Sequence, residues 1–239
     1  METYKPFFVI ILLLLLGGAV FYAQPLRQKT LSPQQAEAEQ KRIEHSKLYK
    51  KYTGIGDLRS ISASSKGEVE VLNGTGQKIF FPNAAPKQLS VFVADITNAA
   101  DLIIIGRVDD RDSFLTEEGT FVFTDYSLSV EQIIKSDSKA ALEPSSKITV
   151  TRPGGTLQLN GRKITASDES LAPLEKGKRY LLFLNLIPIT GAYKAFDSHS
   201  AFRLNGARTE KLTKDQLPVE LEQGTDLSVV LALVQTALR

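Results

Sequence analysis

The sequence predicts a mainly β fold, in which an apolar N-terminal helix and a polar helical stalk precede a β-barrel or sandwich with peripheral helices. Three observations carry this expectation. Phe7–Ala23 (FFVIILLLLLGGAVFYA) holds no charged residue. The stretch from Ser32 to about Tyr52 is polar and opens on helix-start signals. From about residue 67, short runs of apolar residues alternate with Gly- and Pro-containing turns, as in strands wrapped around one core.

As a helix, the 7–23 segment would reach about 26 Å, close to the thickness of a hydrocarbon core. Tyr4, Phe7 and Phe8 flank one end and Phe21 and Tyr22 the other, where interfacial aromatic belts sit. Residues 1–23 are therefore expected to form a transmembrane anchor in the lipid bilayer. The same residues fit a secretory signal peptide, with Phe7–Leu16 as its apolar part and Gly17-Gly18-Ala19 before the cut. No cysteine follows the segment, which excludes a lipid-modified cysteine anchor.

Orientation follows from two opposing signals. Lys5 precedes the segment, whereas Arg27 and Lys29 follow it, and basic residues favour the cytoplasmic side. A short tail ahead of an export-like apolar run points the other way. The favoured expectation is a single-pass membrane protein with an extracytoplasmic C-terminal domain; the alternative is secretion after cleavage.

Residues 1–60 carry 9 Lys or Arg against 5 Asp or Glu, and residues 61–239 carry 20 against 22. The basic excess lies beside the membrane, and the near-neutral remainder does not suit nucleic acid. The expected partners are the bilayer, through residues 7–23, and an envelope protein. With no cysteine there is no disulfide, no thiol nucleophile and no Cys-ligated metal. Residues 61–239 are enough to bury a core as one domain.

Residues 24–60 form the predicted stalk. Ser32-Pro33-Gln34-Gln35 supplies an N-cap, a proline at the first helical position and a capping-box glutamine. The helix is expected to end near Tyr52, before Gly54. Ile43, Leu48, Tyr49 and Tyr52 cluster in its second half, which is expected to dock on the domain while the first half acts as a spacer.

Along the domain, Glu68–Leu72 and Lys78–Phe81 read as a hairpin around Asn73-Gly74-Thr75-Gly76. Leu89, Phe92, Val93, Ile96 and Ala100 recur at helical spacing, although Leu89, Val91 and Val93 also alternate as in a strand. Leu102–Val108 is continuously apolar, which suits a strand covered on both faces. Within Thr120–Ile134, Val122, Tyr126, Leu128 and Val130 share one face. Lys147–Thr151, Thr156–Leu159, Lys163–Thr165, Tyr180–Leu186, Ala192–Phe196 and Ala201–Leu204 follow as strands. Thr225 is placed to cap a last helix whose Leu227, Val230, Leu231, Val234 and Leu238 form one face.

Ala100–Val108, the strand ending at Lys135, Ile148-Thr149-Val150, Pro153-Gly154-Gly155 and Leu174–Leu184 occur in an order that resembles a loosely defined set of bacterial exported or membrane-anchored β-barrel proteins. The run is also similar to the OB-type barrel of netrin-like domains. The resemblance covers about residues 90–206 and implies an OB-like barrel. It does not imply inhibitor chemistry, which in netrin-like inhibitors depends on cysteines that this chain lacks.

Candidate chemistry is sparse, no catalytic residue is assigned and no cofactor is expected. There is no phosphate-binding loop, no dinucleotide-binding glycine pattern and no His/Cys metal set. His199, in Asp197-Ser198-His199-Ser200, would be the base of a serine-type hydrolase, yet no Gly-x-Ser-x-Gly elbow accompanies it. Ser136 and Lys139 have a Ser-x-x-Lys spacing in a polar turn. Asp109, Asp110, Asp112, Glu117 and Glu118 crowd a predicted hairpin loop and would suit calcium in an adhesion or sensing module; a solvated loop is the plainer reading. Arg152, Gly154 and Gly155 would offer a guanidinium and backbone N–H groups to an anion, or form a strand-connecting turn. Phe121 and Phe123, opposite Val122, are expected to pack beneath a helix or to meet a partner. The leading expectation is a non-catalytic binding or envelope-structural domain.

Overall fold

The computed structural model describes residues 32–50, 56–64, 68–73, 88–136, 142–168, 172–195, 199–213 and 216–239. The chain divides into two compact units, Met1–Ala38 and Glu39–Arg239. In the first, the described residues are the opening of helix α1 (Pro33–Leu48). The expected capping box is present there: Gln35 N–H donates to Ser32 Oγ at 3.2 Å and Ser32 N–H to Gln35 Oε1 at 3.0 Å. Among the described residues no helix is long and apolar enough to cross a membrane. The 7–23 segment and the Asn73–Gly76 turn beyond Asn73 lie outside them.

The second unit is mainly β. Helix α2 (Leu58–Ser64) and strand β1 (Val69–Asn73) precede helix α3 (Leu89–Ala99). Strands β2 (Leu102–Leu115), β3 (Val122–Ser136) and β4 (Lys147–Pro153) then form an antiparallel meander. A small hairpin follows, β5 (Gly155–Leu159) and β6 (Arg162–Asp168). The chain returns through β7 (Arg179–Ile187), β8 (Ala192–Ala195), β9 (Ala201–Asn205) and β10 (Arg208–Lys211). It ends with helix α4 (Val219–Glu222), the short strand β11 (Thr225–Asp226) and helix α5 (Leu227–Ala237).

Pairing closes five strands into a ring. β7 lies against β2 along one edge and, through Leu184–Ile187, against β8 along the other. β8 in turn runs parallel to β4, with Val150 opposite Tyr193 and Thr151 opposite Lys194. The order β2-β3-β4-β8-β7 thus returns to β2, while β9, β10 and β11 extend from the first half of β7. A separate three-stranded sheet has the order β1-β6-β5.

Side-chain alternation explains how the layers form. In β2, Leu102, Ile104 and Val108 join Tyr126, Leu128, Val130, Ile148, Val150, Tyr180 and Leu182 in the core of the ring. Ile103 and Ile105 point to the other face, where they pack with Phe92, Val93 and Ile96 of α3 and Val230 and Val234 of α5. The strand is covered on both faces, which is why it reads as unbroken apolar sequence. A third cluster joins Leu58 of α2 and Val69 of β1 to Phe121, Val122, Ile164 and Ala166.

Several expectations are corrected. The second strand runs to Leu115, so Asp109, Asp110 and Asp112 belong to β2 and only Glu117 and Glu118 lie in the turn. β1 pairs in parallel with β6, Val69 opposite Ile164; the second strand of the expected hairpin, Lys78–Phe81, lies outside the described residues. Helix α1 stops at Leu48, with Tyr49 and Lys50 already in a turn. Thr225 does not cap α5; it pairs with Thr209 in β11, and Asp226 takes the N-cap position without a side-chain bond. Residues 89–99 are helical, because Phe92, Val93 and Ile96 must all reach one face above β2 and β7.

Candidate functional site

Two buried polar centres stand out, and both lie on β4 or its neighbour β3. The first joins α1 to the outside of the ring. Along Glu39–Leu48 and the turn after it, His45, Ser46 and Tyr49 are buried. His45 and Tyr49, four residues apart, share a face directed at β3 and β4.

His45 is bonded through both ring nitrogens. Nδ1 lies 2.8 Å from Asp125 Oδ2 on β3, and Nε2 lies 3.0 Å from Thr190 Oγ1 in the β7–β8 turn. One step along, Ser46 Oγ accepts the Glu117 N–H at 2.8 Å from the β2–β3 turn. Tyr49 stacks on Phe123 with ring centroids 5.4 Å apart, and its hydroxyl donates to Thr151 Oγ1 at 3.2 Å. Lys50 faces Glu118 at 3.6 Å. The end of the helix and the turn after it therefore touch β3, β4 and the turns at two corners of the ring.

Thr190, His45 and Asp125 have the hydroxyl–imidazole–carboxylate order of a nucleophilic triad. The backbone N–H groups of the turn that carries Thr190 are already bonded. The N–H groups of Thr190 and Gly191 are spent on Ile187 O, and the Ala192 N–H donates to Thr190 Oγ1 at 3.3 Å. These three donors are engaged in forming the turn. The chain of bonds fastens the helix.

The second centre is Arg152. On β4 it follows Ile148 and Val150 at two-residue intervals and so faces the interior of the ring. It is 2% exposed. Nη1 donates to Ala172 O at 3.1 Å, while Nε and Nη2 are buried without a hydrogen-bond partner. Burial pulls its pKa below the usual arginine value, and Tyr126, Tyr49, Tyr180 and Asp168 oppose that pull. A guanidinium stays protonated even so.

The glycines expected to assist Arg152 serve the chain path. The Gly154 N–H donates to Val122 O at 2.8 Å and the Gly154 carbonyl accepts from Thr124 Oγ1 at 2.6 Å. Both glycines have positive φ, +85° and +144°, and a Cβ on Gly155 would meet Thr124 Oγ1 at 2.0 Å. They carry the chain from the ring into the small sheet at close range.

The remaining sequence candidates are dispersed. Asp109 accepts from Ser129 Oγ at 2.5 Å, and Asp110 pairs with Lys176 at 2.9 Å. That lysine holds the Asp110 carboxyl below its usual pKa. Among the described residues no three His, Cys, Asp or Glu side chains gather as a metal site. His199 stands edge-on to Phe92 of α3, with ring centroids 5.9 Å apart. Ser198, Asp197 and Lys139 lie outside the described residues. Phe121 and Phe123 are fully buried, as expected of packing residues.

His45 was missed as a contact residue. Its spacing to Tyr49 was the available signal, but its partners stand 80 and 145 residues away. No protein family and no curated protein matches this chain.

Proposed function

We propose that this chain is a membrane-anchored, extracytoplasmic, non-catalytic binding module built on an OB-type barrel. The observation that carries the reading is the ring order β2-β3-β4-β8-β7 with its parallel β4–β8 contact. A five-stranded ring closed by one crossed connection is the plan of an OB barrel, a scaffold that serves binding across many families.

In OB-type barrels the second and third strands, with the loops between strands one and two and strands four and five, form the usual binding face. The equivalent face here would be β3 and β4, between the β2–β3 and β7–β8 turns. Residues of α1 and the turn after it occupy it through Asp125, Thr151, Glu117 and Thr190. An envelope partner would then meet the remaining surface of the barrel.

A C-terminal tag and protease treatment of intact spheroplasts test the reading, with lysed cells as control. Digestion in intact spheroplasts, with the tag in the membrane fraction, supports a displayed module. Protection until lysis ends the extracytoplasmic reading, and recovery in the soluble fraction ends the anchor.

A further inference from the structure

Arg152 has five N–H donors in a planar fork, one on Nε and two on each terminal nitrogen. The two nitrogens without partners, Nε and Nη2, are one complete edge of that fork. Their N–H bonds run side by side, in the geometry that accepts two oxygens of one anion. Nη1, at the other corner, is held by the Ala172 carbonyl. The guanidinium is therefore held at one corner, while its bidentate edge is enclosed and unpaired.

The surroundings define what would fill it. No carboxylate forms an ion pair with Arg152 among the described residues, so a buried cation lacks a counter-charge there. Asp168 acts on it only at longer range. Tyr126 and Tyr180, 2% and 0% exposed, stand close enough to influence it, and the Tyr180 hydroxyl already accepts the Glu175 N–H at 2.8 Å. The nearby Thr124 hydroxyl is spent on Gly154 O. Ala172, one hydrogen bond from the guanidinium, is exposed.

We infer that Arg152 anchors a binding site for a small anion presenting two oxygens to its Nε–Nη2 edge, a carboxylate or an inorganic oxyanion. A filled edge supplies the missing acceptors and the missing charge together, which is what a buried guanidinium requires. The site stands on the geometry of Arg152 alone. It does not depend on the OB-type reading or on the anchor.

The test uses the full chain in detergent, in chloride buffer at constant ionic strength. Thermal unfolding is followed as acetate, phosphate or sulfate replaces chloride. A ligand bound only to the folded state raises the melting temperature in a saturable way. The expected result is such a rise with at least one of these anions, lost in Arg152→Met and strongly reduced in Arg152→Lys, which keeps the charge without the fork. A response to acetate alone identifies a carboxylate site, and one to phosphate or sulfate identifies an oxyanion site. No saturable rise, or the same rise in Arg152→Met, overturns the site. The Nε–H resonance of Arg152 in the unaltered chain gives a readout that needs no variant to fold. It is expected to shift with the anion that stabilises, and an unmoved resonance overturns the inference.

Discussion

His45 and Arg152 are equally buried, each 2% exposed, yet their donors are treated in opposite ways. The imidazole has a partner at each nitrogen, whereas the guanidinium has one partner and a bare edge. The contrast separates two uses of buried polarity. A side chain whose bonds are all made within the chain fixes two elements together and has nothing left to offer. A side chain held at one corner with its other donors free is prepared for something the chain does not supply. The first centre is not perfect: Asp125 Oδ1 is buried without a partner. That defect is one lone-pair site on a carboxylate already bonded, smaller than an unfilled edge on a buried cation.

The largest expected effect tests whether the helix seat rests on packing as well as on bonds. Phe123 is fully buried, stacks on Tyr49 and lies 5.6 Å from the Phe114 ring. Phe123→Ala should cost about 3–4 kcal/mol in urea unfolding followed by circular dichroism. A loss below about 1 kcal/mol would mean that Glu39–Leu48 is held by polar bonds alone.

His45→Ala comes next, with an expected loss of about 2–3 kcal/mol, because Asp125 and Thr190 lose their shared partner together. A double-mutant cycle with Asp125→Ala should return a coupling of about 1 kcal/mol or more. Additive losses would remove the claim that His45 acts as a fastener.

Arg152→Met should behave in the opposite sense. In buffer free of oxyanions and carboxylates, it is expected to be neutral to about 2 kcal/mol more stable than the unaltered chain. An apolar side chain of similar length removes a desolvated charge that has little compensation. A loss as large as that of His45→Ala would erase the distinction between the two centres and make Arg152 a structural residue.

The contrast also shows what the chain made legible. Side-chain periodicity specifies faces, so Leu102–Val108 was readable as a strand covered on both sides, and Phe121 and Phe123 as packing residues. Periodicity does not specify partners. That β1 lies beside β6, 95 residues further on at Val69 and Ile164, is a long-range pairing that no local pattern in either strand announces. The acidic cluster shows the same limit. Asp109, Asp110 and Asp112 read as a loop because charge density resembles one, yet a long antiparallel ladder with β3 extends the strand through them. Arg152 was singled out beside its glycines, but it is the arginine that keeps unpaired donors; the Gly154 N–H is bonded to Val122 O. The glycines steer the backbone, and only the alternation of Ile148, Val150 and Arg152 turns the guanidinium inward.

The smallest effect concerns charges at the surface, where neither kind of buried logic applies. Arg203 Nε donates to Glu210 Oε2 at 2.8 Å and Nη1 to Glu175 at 2.9 Å, while Asn205 donates to Glu210 Oε1 at 2.8 Å. The Asn205 bond, and then Arg203, hold the Glu210 carboxyl below its usual pKa. A carboxylate whose pKa is lowered by folding contributes stability above its unfolded pKa, and loses it as pH falls through the folded value. Glu210→Gln should therefore be slightly less stable than the unaltered chain at neutral pH. The two should converge on acidification below the ordinary carboxylate range. Because Arg203 and Glu210 are about one-third exposed, at 36% and 34%, added salt should shrink the difference as well. A gap that persists in acid and in salt would show that Glu210 contributes by shape, through the β9–β10 hairpin, and not by charge.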